Sequence, residues 1–239
     1  MGKFYDKKVI ISGNIIEVFE YERLIKVGEV RNKNGRRFEA SEEDKIENRR
    51  VTMYRARSQV RRLINANVDA WGQKAKFLTL TFAEHITDIK QANYEFKKFR
   101  QRLEYEIGLK LKYVAVIEFQ RSGRIHYHVI FFNLPYIEAN YLESIWQNGF
   151  IKINAIEHVD NVGAYITKYM TKDNEDERLK GQKSYFTSRG LKKPKEEYIN
   201  EKEIANIKKE LSQKKVYESK FENEYTGNII YTQYNLKRQ

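Results

Sequence analysis

Between Phe77 and Lys172 the hydrophobic pattern switches repeatedly between the two-residue repeat of a strand and the repeat of about 3.6 residues of a helix. The order of those switches constrains the fold more than any single motif. Phe77-Leu-Thr-Leu-Thr-Phe82 reads as a strand of β-favouring residues. Thr87 or Asp88 stands where a helix cap belongs, ahead of apolar residues Ile89, Ala92, Phe96, Phe99, Leu103 and Ile107 at helical spacing. Two strands follow, Tyr113 to Gln120 and Ile125 to Phe132, joined by the turn Arg121-Ser-Gly-Arg124, so they are expected to pair antiparallel. Residues 137–147 then read as a helix, Phe150 to Ile156 as a strand, and Asn161 to Lys172 as a further helix.

That order, βαββαβ, predicts an α+β fold of the ferredoxin or RRM-like kind. Its central antiparallel sheet would have four strands with helices on one face, followed by one more helix. Three domains are expected: an N-terminal extension over 1–75, a core over 76–195, and a C-terminal helix and hairpin over 196–239. The first contains strand-like Val9 to Ile11 and Ile15 to Tyr21, a charged turn near Asn32-Lys-Asn-Gly35, and a helix from Thr52 to Asn67. Arg55, Arg57, Arg61 and Arg62 on that helix suit phosphates and a solvated surface equally well. The last has a charged helix from about Glu196 to Lys214 and a turn at Thr226-Gly227. Between core and tail runs a basic stretch from Arg178 to Lys195.

Composition narrows the partners. With 45 Lys and Arg against 33 Asp and Glu the formal charge is +12, and 17 Tyr and 13 Phe stand among those cations. Cations beside aromatic rings suit single-stranded nucleic acid. No cysteine is present, so thiolate metal sites and disulfides are excluded and any metal must use His and carboxylate. The longest apolar runs, such as Val129-Ile-Phe-Phe132, are too short for a bilayer, which predicts a soluble, cytoplasmic protein without a membrane partner. No GxxxxGK[ST] loop occurs, so the chain carries no sign of an ATP-driven motor.

Two constellations carry chemistry. On a strand, His126 and His128 share one face, and the short hairpin can bring Glu118 across from them. Two imidazoles and a carboxylate suit a divalent metal that polarises a phosphate oxygen. Gln120 ranks behind Glu118 because an amide is the weaker ligand, and His85 and His158 stand isolated. Tyr165-xx-Lys168 and Tyr169-xx-Lys172 are overlapping copies of one unit, so on a helix both phenols face one side with a lysine near each. A phenol needs a neighbouring cation, base or activated electrophile to act as a nucleophile near neutral pH. Surface histidines and an inward tyrosine stripe are the bland alternatives.

These residues resemble the HUH superfamily of single-strand DNA endonucleases, and within it the two-tyrosine rolling-circle replication initiators of small phages and plasmids. Phe77 to Phe82 looks like the first motif, Gly123-Arg-Ile-His126-Tyr-His128 like the second, and Tyr165 to Lys172 like the third. Trp146-Gln-Asn-Gly149-Phe150 and Tyr185-Phe-Thr-Ser-Arg189-Gly-Leu-Lys-Lys-Pro194 also look like that group. The resemblance implies His126, His128 and Glu118 as ligands of Mg or Mn, Tyr165 and Tyr169 as nucleophiles, and Lys168 and Lys172 as charge stabilisers. It further implies nicking and rejoining of single-stranded origin DNA through a 5′-phosphotyrosine link that leaves a priming 3′ hydroxyl. Host helicase and polymerase would be partners, and oligomeric state is left open. A tyrosine motif that follows the histidines is unlike most conjugative relaxases. The same chemistry in a single-strand transposase or mobilisation protein, and a noncatalytic single-strand-binding module, are the competing readings.

Overall fold

The computed structural model describes residues 3–28, 41–170 and 182–238. The chain opens with strands β1 (Phe4–Ser12) and β2 (Ile15–Lys26), then helix α1 (Glu42–Asn65). Next come β3 (Lys76–Thr81), α2 (Ile89–Ile107), β4 (Tyr113–Phe119), β5 (Ile125–Phe131), α3 (Ala139–Trp146) and β6 (Ile151–Asn154). Helix α4 (Val162–Thr167) runs into a 3₁₀ turn, Lys168–Met170, and is followed by β7 (Tyr185–Thr187) and β8 (Lys195–Tyr198). Helix α5 (Glu201–Glu210) and strands β9 (Lys215–Asn223) and β10 (Gly227–Asn235) complete the chain. The fold is α+β, as its periodicity predicts. The charged turn near Asn32 and part of the basic stretch from Arg178 lie outside the described residues.

Two compact units divide these elements, one from residues before Glu43 and after Lys192, the other from residues 43–192. The first corrects the division into separate N- and C-terminal extensions. Its sheet has the order β8-β1-β2-β10-β9, with Ile11 opposite Lys195 and Val18 opposite Thr232. Each chain end supplies an amphipathic hairpin too small to be stable alone, so the two share one sheet. Helix α5 covers one face, burying Ile204 against Val9, Val18 and Tyr234. Its start is set by Asn200, which accepts from the Glu203 amide while the Glu203 carboxylate accepts from the Asn200 amide. The charged helix expected from Glu196 therefore begins later, because 195–198 pair with β1 instead.

In the second unit the antiparallel sheet runs β6-β3-β5-β4-β7. Its first four strands stand in the spatial order fourth, first, third, second, which is the ferredoxin-like arrangement. Strand β7 adds a fifth at the free edge of β4. Asp88 caps α2 by accepting from the Gln91 amide at 2.7 Å, and Ile89, Ala92, Phe96, Phe99 and Leu103 are buried along it. Gly108, at φ 65°, ends that helix in the left-handed region.

Both faces of this sheet are covered, whereas helices on one face were expected. Leu78, Leu80, Tyr127, Val129 and Phe131 pack with α2 and α3. Phe77, Val114, Val116 and Ile130 pack with Val60 and Ile64 of α1 and Val162 and Ile166 of α4. Helix α1 thus belongs to this unit, and it starts at Glu42 rather than Thr52. Every residue of β4 and β5 is buried as a result. Among the described residues no helix is long and apolar enough to cross a membrane.

Candidate active site

The α1 and α4 face of the sheet carries both constellations. Across β4 and β5, Glu118 stands opposite His126 and Val116 opposite His128, while on β3 Thr79 stands opposite His128 and Thr81 opposite His126. Strand alternation therefore sends Thr79, Glu118, His126 and His128 to the same side as Phe77. Glu118, His126 and His128 are all buried. Glu118 reaches diagonally, its Oε2 lying 2.6 Å from His128 Nε2. On the other side of that ring, His128 Nδ1 lies 3.1 Å from Thr79 Oγ1, which also accepts from Asn154 Nδ2 at 3.1 Å. Asn154, Thr79, His128 and Glu118 thus form one polar chain.

His126 is the contrast. Its Nδ1 lies 3.4 Å from Gln120 Nε2, and its Nε2 is buried with no hydrogen-bond partner. Burial, then the neighbouring His128, lower its pKa, with Arg124 adding to the effect and Glu118 opposing it. A neutral imidazole with an unshared buried nitrogen is suited to donate a lone pair. The donor set of His126, His128 and Glu118 fits a divalent cation in kind. Among the described residues, however, no three His, Asp or Glu side chains converge as a ready cluster. Glu118 is drawn to His128, so binding a cation would require that hydrogen bond to open.

The tyrosines are placed by a close approach of α4 to α1. Asn161 caps α4, accepting from the Ala164 amide at 3.0 Å and from Asn65 Nδ2 at 2.9 Å. The Gly163 amide donates to Asn65 Oδ1 at 2.8 Å. A Cβ at Gly163 would lie 2.2 Å from the Arg61 carbonyl oxygen, so only glycine permits this contact. The α-helix gives way after Thr167 to a 3₁₀ turn that holds Tyr169, tighter over Lys168–Met170 than the α-helix read from spacing.

Tyr169 stacks on His128 with ring centroids 3.7 Å apart and 17° between planes. Tyr165 meets Tyr169 edge-on at 6.4 Å, and Phe77 lies 5.9 Å from each. Lys168 holds its Nζ 3.8 Å from the Tyr165 ring centroid and 5.3 Å from that of Tyr169. One lysine therefore flanks both phenols. Lys172 lies outside the described residues. Burial, a hydrogen bond with Tyr165 and the charges of Tyr165 and Glu118 push the Tyr169 phenol up to about 12.

The structure thus brings together His126, His128, Glu118, Tyr165, Tyr169 and Lys168, with Gln120 beside His126. His85 and His158 are exposed. Thr79 and Asn154 were not singled out from sequence, although the in-phase threonines of β3 were the signal that could have found Thr79.

Comparison with known proteins bears on this unit. Residues 75–174 match the family model of replication-associated protein ORF2/G2P. The match spans both motifs. Less than half of the chain is matched, and it holds β3 to α4 with the two histidines, Glu118 and the tyrosines. The phasyl DNA replicon protein arp of Escherichia coli is 29% identical over 156 residues, which cover 52% of this chain and 54% of that protein. The chain therefore spans about half the length of the curated relative it matches. No solved structure matches it.

Proposed function

We propose that this chain initiates replication by nicking and rejoining single-stranded origin DNA through a tyrosine. The observation that carries the reading is the stacking of Tyr169 on His128, which puts a doubled tyrosine motif over two histidines and a carboxylate. The match to replication-associated proteins supports the replicative role, and the charge of +12 supports a nucleic-acid substrate.

In the proposed reaction the phenolic oxygen of Tyr169 or Tyr165 attacks a DNA phosphorus as the phenol loses its proton. The bond from phosphorus to the upstream 3′ oxygen breaks, and that oxygen leaves as a hydroxyl after taking a proton. The product is a 5′-phosphotyrosine and a free 3′ end. Ester replaces ester, so no nucleotide hydrolysis is needed and reversal rejoins the strand. Mg or Mn held by His126, His128 and Glu118 would supply Lewis-acid polarisation of the phosphate. Thr79 and Asn154 hold the His128 ring, Lys168 offsets charge developing beside the phenols, and Phe77 packs against both tyrosine rings. Lys172 is assigned the same role as Lys168. Two phenols allow a second cleavage while the first remains joined to DNA.

The test is a denaturing gel of the chain with labelled single strands from candidate origins, with manganese or with chelator. A metal-dependent band that survives denaturation and is absent from a Tyr165→Phe/Tyr169→Phe variant is expected. Strand binding without any such band would leave a binding module instead.

A further inference from the structure

Helix α1 has 24 residues, yet its buried ones, Val60, Ile64 and Asn65, all lie in its last two turns. Residues 42–52 are exposed apart from half-buried Arg49. A helical stretch of that length is marginal in water without packing. Its surface nevertheless bears Tyr54, which is 71% exposed. Arg50, Met53, Tyr54 and Arg57 follow one another at helical spacing and share one side. Together with Arg55 and Met170 that side lines a cleft of about 420 Å³. Met170 is the residue after Tyr169. The lining holds three guanidinium groups against the single carboxylate of Glu47, which pairs with Arg50 at 3.7 Å.

We propose that this cleft holds the single strand beside the nucleophiles, with a base stacked on Tyr54 and flanking phosphates on Arg50 and Arg57. The inference rests on the nicking reading and names the surface that delivers the strand. Charge selects an anionic chain, and an exposed ring between arginines selects one whose bases are unpaired. Continuity with Tyr169 through Met170 sets the place of the strand. Proteins of acidic surface would satisfy the arginines but would not require the ring.

The experiment uses the full chain carrying Tyr165→Phe and Tyr169→Phe, with fluorescence anisotropy of a labelled oligothymidine and of an abasic strand of the same length. Adding Tyr54→Ala is expected to weaken oligothymidine binding about tenfold while Tyr54→Phe restores it, and the abasic strand is expected to be indifferent to either change. Adding Arg50→Ala with Arg57→Ala is expected to reduce the slope of log affinity against log salt by about 1.4, two phosphates at about 0.7 each. Alanine favours helix, so lost binding with unchanged circular dichroism reports the surface and not α1 itself. Unchanged affinity and salt slope in these variants would overturn the proposal, as would equal loss on the abasic strand. Adduct formation by the chain with both tyrosines intact separates the two ideas. An adduct formed with unaltered KM after Tyr54→Ala overturns the cleft alone; Tyr54-dependent binding without any adduct overturns nicking alone.

Discussion

Tyr169 lies flat on His128, with 3.7 Å between the ring centroids, whereas the Tyr165 ring stands edge-on to Tyr169 at 6.4 Å. The two phenols therefore hold unequal places at the histidine face. Tyr169→Phe keeps the stacked ring and removes only the hydroxyl, so its effect isolates the nucleophile. First-strand adduct is expected to fall to background in Tyr169→Phe. In Tyr165→Phe it should fall by no more than about tenfold, about 1.4 kcal/mol of barrier, while a second cleavage is lost. Quantified gel bands from single-turnover reactions check this ranking.

The Tyr169 phenol, ordinarily at 10.0, is pushed up to about 12 by burial, Tyr165 and Glu118. A raised folded-state pKa means that the native protein holds this proton more tightly than the unfolded chain. The associated stability is thus fully present below pH 10 and is lost as pH rises towards about 12. Thermal unfolding followed across that alkaline window should show a steep decline that Tyr169→Phe makes shallower. An identical decline in both proteins would mean that other groups govern it.

Thr79 Oγ1 bridges His128 Nδ1 and Asn154 Nδ2. Replacing the hydroxyl by a methyl leaves the β3 backbone and volume nearly intact but frees the His128 ring to turn. Thr79→Val is expected to weaken the manganese dependence of adduct formation by about 10- to 100-fold, the usual cost of losing a group that orients a ligand. Thr79→Ser should recover it, and titration of manganese in each variant distinguishes the two.

Gly163 admits α4 to within contact of the Arg61 carbonyl. Because the obstructing atom is backbone, Gly163→Ala must push the helices apart, at a cost of about 1–3 kcal/mol. A lowered Tm, together with adduct loss exceeding the unfolded fraction, is expected. Ala164→Gly serves as a control for helix propensity, since it weakens α4 without adding bulk.

How much of this was legible in the sequence depended on the range of the interactions. The core order from β3 to α4 could be read because each element carries its own periodicity, such as Ile89 to Leu103 along α2. The tight turn at Arg121 to Arg124 fixed the register of Glu118 against His126. The terminal sheet could not be read, since Val18 meets Thr232 across almost the whole chain and no local pattern encodes that pairing. Strand β7, Tyr185–Thr187, is too short to show alternation and exists by filling the edge of β4. The early turns of α1 were missed because their charged residues bury no face. Thr79 and Asn154 were missed because threonine in a strand reads as β propensity, and only the registers of β3 with β5 and β6 reveal what Thr79 touches.

Lys168 lies between the tyrosines, so trypsin separates them: Tyr165 falls in the peptide Ile153 to Lys168 and Tyr169 in Tyr169 to Lys172. Mass spectrometry of tryptic peptides after reaction with an origin strand and nuclease trimming therefore reads the nucleophile directly. A nucleotide mass on the peptide from Tyr169 to Lys172, present with manganese and absent with chelator, is the expected result. A covalent nucleotide on any residue other than the two tyrosines, or none despite strand binding, would contradict the proposed chemistry.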